Sequence, residues 1–349
     1  MTSIAGSVEP VEKEVKVKES VTLVVGDTKS PEKSTKDAVK GTPGGPVPPA
    51  PPRAKKIPIV DPVAKTHMPA NVPVPHKIRS NDLPENSYNL KPLVLSTHLV
   101  PSLPIELFEL IAEIIEHSTQ TPVVLIHESR VNRPVATEIV DIAFLPASQE
   151  WKDGKLLPVG LVFDHRLNTK NDPGVYADVV VAQDIAEHIE DIIDLRGYKV
   201  ALPGRYTKIG GVGLLFNHLK TKGESPSFFG NTLDSETQVA ALQMVAGKQT
   251  EVGVIEAPVI NCHRYNLPGV NNLLILESLG PLPPYQILLN PRVPQKTTDQ
   301  IKRGFLNAKS NPQWLDRLKS FGARGFAEYS QDNYDVEEIK TAVTSVAYY

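Results

Sequence analysis

Disulfides, membrane spans and a large charge imbalance are all missing from this sequence. It contains one cysteine, Cys262, so no disulfide framework can form within the chain, and a lone thiol suits a reducing compartment. No apolar run approaches the ~20 residues that a helix needs to cross a bilayer. The formal net charge of −3 argues against nucleic acid or an anionic membrane surface as the main partner. The first residues, MTSIAGSVEPVEKEVKVKES, hold no apolar core of signal-peptide length, and their glutamates are unlike an organelle transit peptide. These absences together lead to the expectation of a cytoplasmic protein.

What is plentiful is proline, with 32 residues, nearly double the usual share of about 5%. Many lie in residues 1–88, where Lys, Glu, Val, Ser and Thr alternate without helical period before GTPGGPVPPAPPRAKKIP. Such a segment cannot bury enough apolar surface to offset its chain entropy, and it is expected to be disordered. The proline run at 46–52 favours a stiff polyproline II stretch. It reads either as a spacer or as a docking segment for a protein partner with an SH3-type or WW-type groove.

From Leu90 the texture changes to alternating strands and helices. KPLVLSTHLV reads as a buried strand, and SLPIELFELIAEIIEHS as a helix with Ser102 as its cap and Pro104 in its first turn. Leu107, Phe108, Ile111, Ile114 and Ile115 fall on one face of that helix. Further strands are expected in PVVLIHES, EIVDIAFLPAS, LPVGLVFDHRL, VYADVVVAQD, EVGVIEAPV, NLLILESLG and YQILLN, with helices in SETQVAALQMVAGKQ and twice after Thr297. Repeated β-α units with short connections indicate an α/β fold with mostly parallel sheets. A length of 349 residues allows two or three domain-sized units.

In open α/β sheets ligands bind beyond the carboxyl ends of strands. Four loops hold that position: STHL (96–99), PASQEW (146–151), GRYTKIGG (204–211) and EAPV (256–259). The third joins a strand to a helix through glycines, which is the generic form of an anion site built from free N–H groups and the helix dipole. It is not a Walker A loop, because the fifth residue after Gly204 is Ile209. It is not a dinucleotide fingerprint either, since Phe216 stands where a third glycine belongs. The glycines serve equally well to let the helix pack on the sheet, and the residues alone leave both readings open. Gln238 also has two readings, because Ser235-x-x-Gln238 matches a capping box. Adjacent Cys262 and His263 are not at a chelating spacing, no G-x-S-x-G elbow is present, and no cofactor or metal is expected. Glu256 at a strand end and Glu150 beside Trp151 could act as acid or base, or hold a ligand amine.

From about Leu90 to Glu338 the chain resembles the substrate-binding proteins of phosphonate, phosphite and phosphate ABC transporters. The resemblance is carried by VDIAFLPAS, DPGVYADVVVAQD, IIDLRGYKVALPG, TQVAALQMVAGKQTEVGVIEA and the closing QIKRGFLNAKSNPQWLDRLKSFGARGFAEYSQDNYDVEEI. It implies a two-lobed type 2 periplasmic-binding-protein fold after the tail. Residues 89–181 and 283–349 would form one lobe, and 182–282 the other. The family's serine-threonine-serine phosphonate stretch falls on Thr207, Lys208 and Ile209 before Gly210, keeping one hydroxyl and adding a positive charge. The family's pocket histidine falls on Gln238, its acidic pocket residue on Glu256, and its first-lobe aromatic on Glu150. The implied ligand contacts are Thr97, His98, Ser148, Glu150, Tyr176, Tyr206, Thr207, Lys208, Gly210, Gly211, Gln238 and Glu256. A small anionic metabolite is the expected ligand, in a binding protein rather than an enzyme. Two alternatives stay open: a cytosolic enzyme on this fold, similar to those of thiamine-pyrimidine or menaquinone synthesis, and an interaction protein with a vestigial cleft.

Overall fold

The computed structural model describes residues 56–59, 91–98, 102–128, 138–204, 207, 209–337 and 339–340. The expectations for residues 1–55 and 60–90, including the proline run and its partner, lie outside the described residues. Near the N-terminus are β1 (Ile57–Pro58), β2 (Leu93–His98), α1 (Ile105–Thr119), β3 (Val123–Glu128) and β4 (Ile142–Leu145). There follow β5 (Lys155–Leu157), β6 (Val159–Phe163), β7 (Val175–Ala182), β8 (Lys199–Pro203) and α2 (Gly211–Thr221). Next come β9 (Asn231–Ser235), α3 (Gln238–Ala246), β10 (Val252–Glu256), α4 (Ala257–His263) and β11 (Leu273–Leu282). The chain closes with β12 (Gln286–Leu289), α5 (Gln295–Asn307), α6 (Pro312–Ser320) and β13 (Ala323–Glu328). Among the described residues no helix is long and apolar enough to cross a membrane.

Two sheets organise two lobes. One has the order β3-β2-β4-β12-β5 and the other β1-β11-β7-β10-β8-β9, while β13 and β6 form a separate pair. Parallel pairing is confined to β2 with β3 and β4, and to β8 with β9 and β10. Helices or longer connections separate these strands in sequence, which is what parallel neighbours require. The strands that cross between the lobes pair antiparallel, β7 with β10 and β11, and β12 with β4 and β5. Each sheet is therefore mixed, where the sequence pattern suggests mostly parallel ones.

The apolar stripe of α1 is buried as its spacing predicts, with Leu107, Phe108, Ile111, Ile114 and Ile115 all inaccessible or nearly so. Phe108 meets Phe144 of β4 edge to face, with centroids 5.4 Å apart, an arrangement that suits the ring quadrupoles. In the other lobe all eight residues of β7 are buried. Its one charged side chain, Asp178, accepts from the Ser278 hydroxyl and lies 3.2 Å from His165 Nε2. A buried carboxylate is tolerated on such terms.

The first strand corrects the sequence reading. Residues 56–59 belong to the stretch expected to be disordered, yet Ile57 and Pro58 pair antiparallel with Ile275 and Leu274 of β11. The Ile59 N–H donates to Leu273 O at 3.3 Å, and the Ile59 side chain is 7% exposed. Pro58 occupies the intervening position, where a backbone N–H would not face β11, so the ladder loses no donor to it. Local composition does not reveal this strand because its partner lies more than 200 residues away in sequence.

Ile59→Ala is expected to lower stability by about 1–2 kcal/mol through lost apolar burial. Ile57→Ala, at a side chain 37% exposed, should stay within about 0.5 kcal/mol of wild type. Urea unfolding of the full chain measures both, and equal effects would mean that β1 is not anchored through Ile59.

Candidate functional site

The loop from β8 to α2 is shaped by its glycines. Gly204 has a φ of 60°, and a Cβ there would stand 2.9 Å from Thr207 Oγ1, so only glycine fits without strain. The Thr207 N–H donates to Gly204 O at 2.7 Å and closes the turn. Gly211 opens α2, and a Cβ on it would lie 3.1 Å from Ala177 Cβ and 3.4 Å from Val254 Cγ2. This glycine therefore does let the helix pack on the sheet. Among the described residues no side chain caps α2, and its first turn carries no acidic residue. Gly210, Gly211 and Val212, which carry its N-terminal amides, line a cavity of about 140 Å³.

Glu256, at the carboxyl end of β10, lines the same cavity. Its Oε2 accepts from the Tyr285 hydroxyl at 2.7 Å. Its backbone N–H donates to Gln238 Oε1, also at 2.7 Å. Burial pushes the Glu256 carboxyl above its ordinary value, outweighing the bonds from Tyr285 and Gln238 that lower it. Burial, with the carboxylate alongside, likewise pushes the Tyr285 phenol well up. Among the described lining residues the charged ones are Glu236 and Glu256.

Two caps differ from expectation. Thr237 is the cap of α3, accepting from Ala240 N–H at 3.1 Å. Ser235 donates to Thr237 O instead, which frees the Gln238 side chain to reach β10. Helix α1 starts after Pro104 with no side-chain cap. Ser102 turns away from it, and its hydroxyl accepts from the N–H groups of Gln238 and Val239 in the other lobe, at 3.0 and 3.4 Å. Proline at the position before Ile105 displaces the serine from its own helix, a shift of register that spacing alone does not reveal.

Of the residues named from sequence, Ser148, Thr207, Gly210, Gly211, Gln238 and Glu256 converge on this cavity. Thr97 is fully buried in β2, with its hydroxyl 2.7 Å from His127 Nδ1. Glu150 is exposed, while Trp151 packs with Val140, Ala143, Leu145 and Leu288. Tyr176 stacks on His165 with ring centroids 4.4 Å apart. Tyr206, Lys208 and the side chain of His98 lie outside the described residues. Sequence reading passed over Ser102, Glu236, Thr237 and Tyr285. A tyrosine just before a strand carries no motif, so only the folded chain brings Tyr285 to Glu256. Cys262 is buried, with its Sγ 3.5 Å from Phe321 O and its thiol pushed up to about 12 by burial, so it is no thiolate at neutral pH.

The raised Glu256 pKa has a definite sign for stability. Its stabilising contribution is fully present below the ordinary value of 4.5 and is lost as pH rises through the raised one. Glu256→Gln keeps the shape and removes the charge. The variant should be more stable than wild type at neutral pH, with the gap closing as pH falls toward 4.5. Urea unfolding across that range decides it, and a gap that ignores pH would show that burial does not shift this carboxyl.

The family described as the periplasmic substrate-binding protein of phosphonate ABC transporters matches residues 105–334. No curated protein matches the chain significantly in sequence. Among solved structures, the binding component of an ABC phosphonate transporter from Pseudomonas aeruginosa is similar at a TM-score of 0.55 and 12% identity, over 69% of this chain and 83% of its own. PhnD1 from Prochlorococcus marinus, in complex with methylphosphonate, is similar at a TM-score of 0.55 and 15% identity, over 73% of this chain and 99% of its own. At such identities these likenesses establish the fold, two α/β lobes of the periplasmic-binding-protein kind. The matched residues span well over half of the chain, and the protein belongs to the phosphonate ABC-transporter substrate-binding family.

Proposed function

We propose that the protein binds a small ligand bearing a phosphonate-like or phosphate-like anion and closes its two lobes on it. The observation that carries this reading is the pairing of uncapped α2 amides with the Glu256 carboxyl across one cavity of about 140 Å³. An anion at the α2 N-terminus gains about 0.3–1 kcal/mol from the dipole, up to ~2 when partly buried. Each charge-assisted hydrogen bond adds about 1.5–3 kcal/mol. Thr207 supplies a hydroxyl beside those amides, and Glu256 suits a cationic or hydrogen-donating group at the ligand's other end. The volume lies below the roughly 300–1,000 Å³ of sites for drug-sized molecules, so the ligand has few heavy atoms. We read its use as cytosolic rather than in uptake, a reading supported by the single cysteine.

Calorimetric titration with methylphosphonate, inorganic phosphate and 2-aminoethylphosphonate tests the proposal. Thr207→Val should weaken all three about tenfold, or 1.4 kcal/mol. Glu256→Gln should weaken only the aminated compound by that much. Absence of any anion binding to the wild type would end this reading, and affinities indifferent to Thr207→Val would move the site elsewhere.

A further inference from the structure

The two helix N-termini at the cavity are in unlike states. In α3 the N–H groups of Gln238 and Val239 are taken by the Ser102 hydroxyl, and that of Ala240 by Thr237 Oγ1. The positive end of α3 is thus filled by the protein itself, while at α2 no side-chain cap is present among the described residues. The serine that fills α3 comes from the opposite lobe, on the segment leading into α1. It is held a second time, through its carbonyl oxygen, which accepts from His263 Nε2 of α4 at 2.8 Å. Ser102 is 7% exposed, so little water competes for these bonds. One residue of the first lobe therefore satisfies three donors of the second.

We propose that Ser102 is a closing latch, a positioning residue that biases the lobes toward the closed form before any ligand arrives and directs the ligand's anion to α2. The inference rests on the two-lobed binding reading above. In an open form water would satisfy the amides of Gln238 and Val239, so the bonds to Ser102 favour the closed form alone. A ligand that binds the closed form then gains in apparent affinity by the factor through which the latch raises its population. Because the α3 amides are already used, an anion in the cavity is directed to α2 rather than α3, and a ligand with a single anionic head fits that arrangement.

The test uses the full chain without ligand, as wild type, Ser102→Ala and Ser102→Thr. Hydrogen–deuterium exchange at the amides of Gln238 and Val239 should be at least tenfold faster in Ser102→Ala. The radius of gyration by small-angle X-ray scattering should rise in the same variant. Ser102→Thr retains the hydroxyl and should stay near wild type in both measurements. Unchanged exchange and scattering in Ser102→Ala would overturn the latch, as would a threonine variant that behaves like the alanine one. Titration with methylphosphonate then adds a separate arm, in which Ser102→Ala should bind about five- to tenfold more weakly. Since exchange and scattering need no ligand, the latch is judged even if methylphosphonate does not bind and the functional reading fails.

Discussion

The close approach of α2 to the sheet is the constraint on which the site depends. At Gly211 the helix backbone lies so near β7 and β10 that a Cβ would meet Ala177 and Val254. A larger residue there would crowd both strands and require either the helix or its neighbours to shift. The same strands position Glu256, because the antiparallel register of β10 on β7 sets it beside Ala177. The α2 amides and the carboxyl thus both take their places from β7 and β10. Of the two readings that its sequence left open, the packing one is met at this glycine.

The cavity is lined by groups of opposite character, the α2 amides and the Thr207 hydroxyl together with Glu256, Tyr285 and Glu236. The raised Glu256 pKa follows from burial, and burial follows from the lobes meeting over it, since Tyr285 sits just before β12 of the first lobe's sheet. The Tyr285 hydroxyl opposes that shift in part, since it donates to the carboxyl that burial raises.

Much of the framework was legible in the sequence because it follows from period and punctuation. The stripe of α1, the eight-residue β7, and the strand-glycine-helix passage into α2 all show the pattern that their burial demands. What escaped notice has physical reasons. The strand β9 is Asn-Thr-Leu-Asp-Ser and only partly buried, so it lacks an apolar signature. Helix α4 follows β10 without a break, its first turn holding Pro258 at a position a helix accepts. In the site, Thr207, Gly210, Gly211 and Glu256 were found through loop position and family likeness. Ser102, Gln238 and Tyr285 take their roles from partners 136, 18 and 29 residues away in the chain. No local pattern encodes such pairings.

Pro58 costs the β11 ladder nothing, because its nitrogen faces away from it. That orientation puts the missing donor on the outer rim of the six-stranded sheet. An edge strand normally offers a row of N–H and C=O groups to any extended chain that drifts past. Here the strand that is outermost among the described residues is two residues long and lacks one of its outward N–H groups. The short strand that covers β11 is thus itself a poor template for further growth. Removing it would bare the rim of β11 at Leu273, Leu274 and Ile275, and the first symptom would be self-association rather than loss of binding.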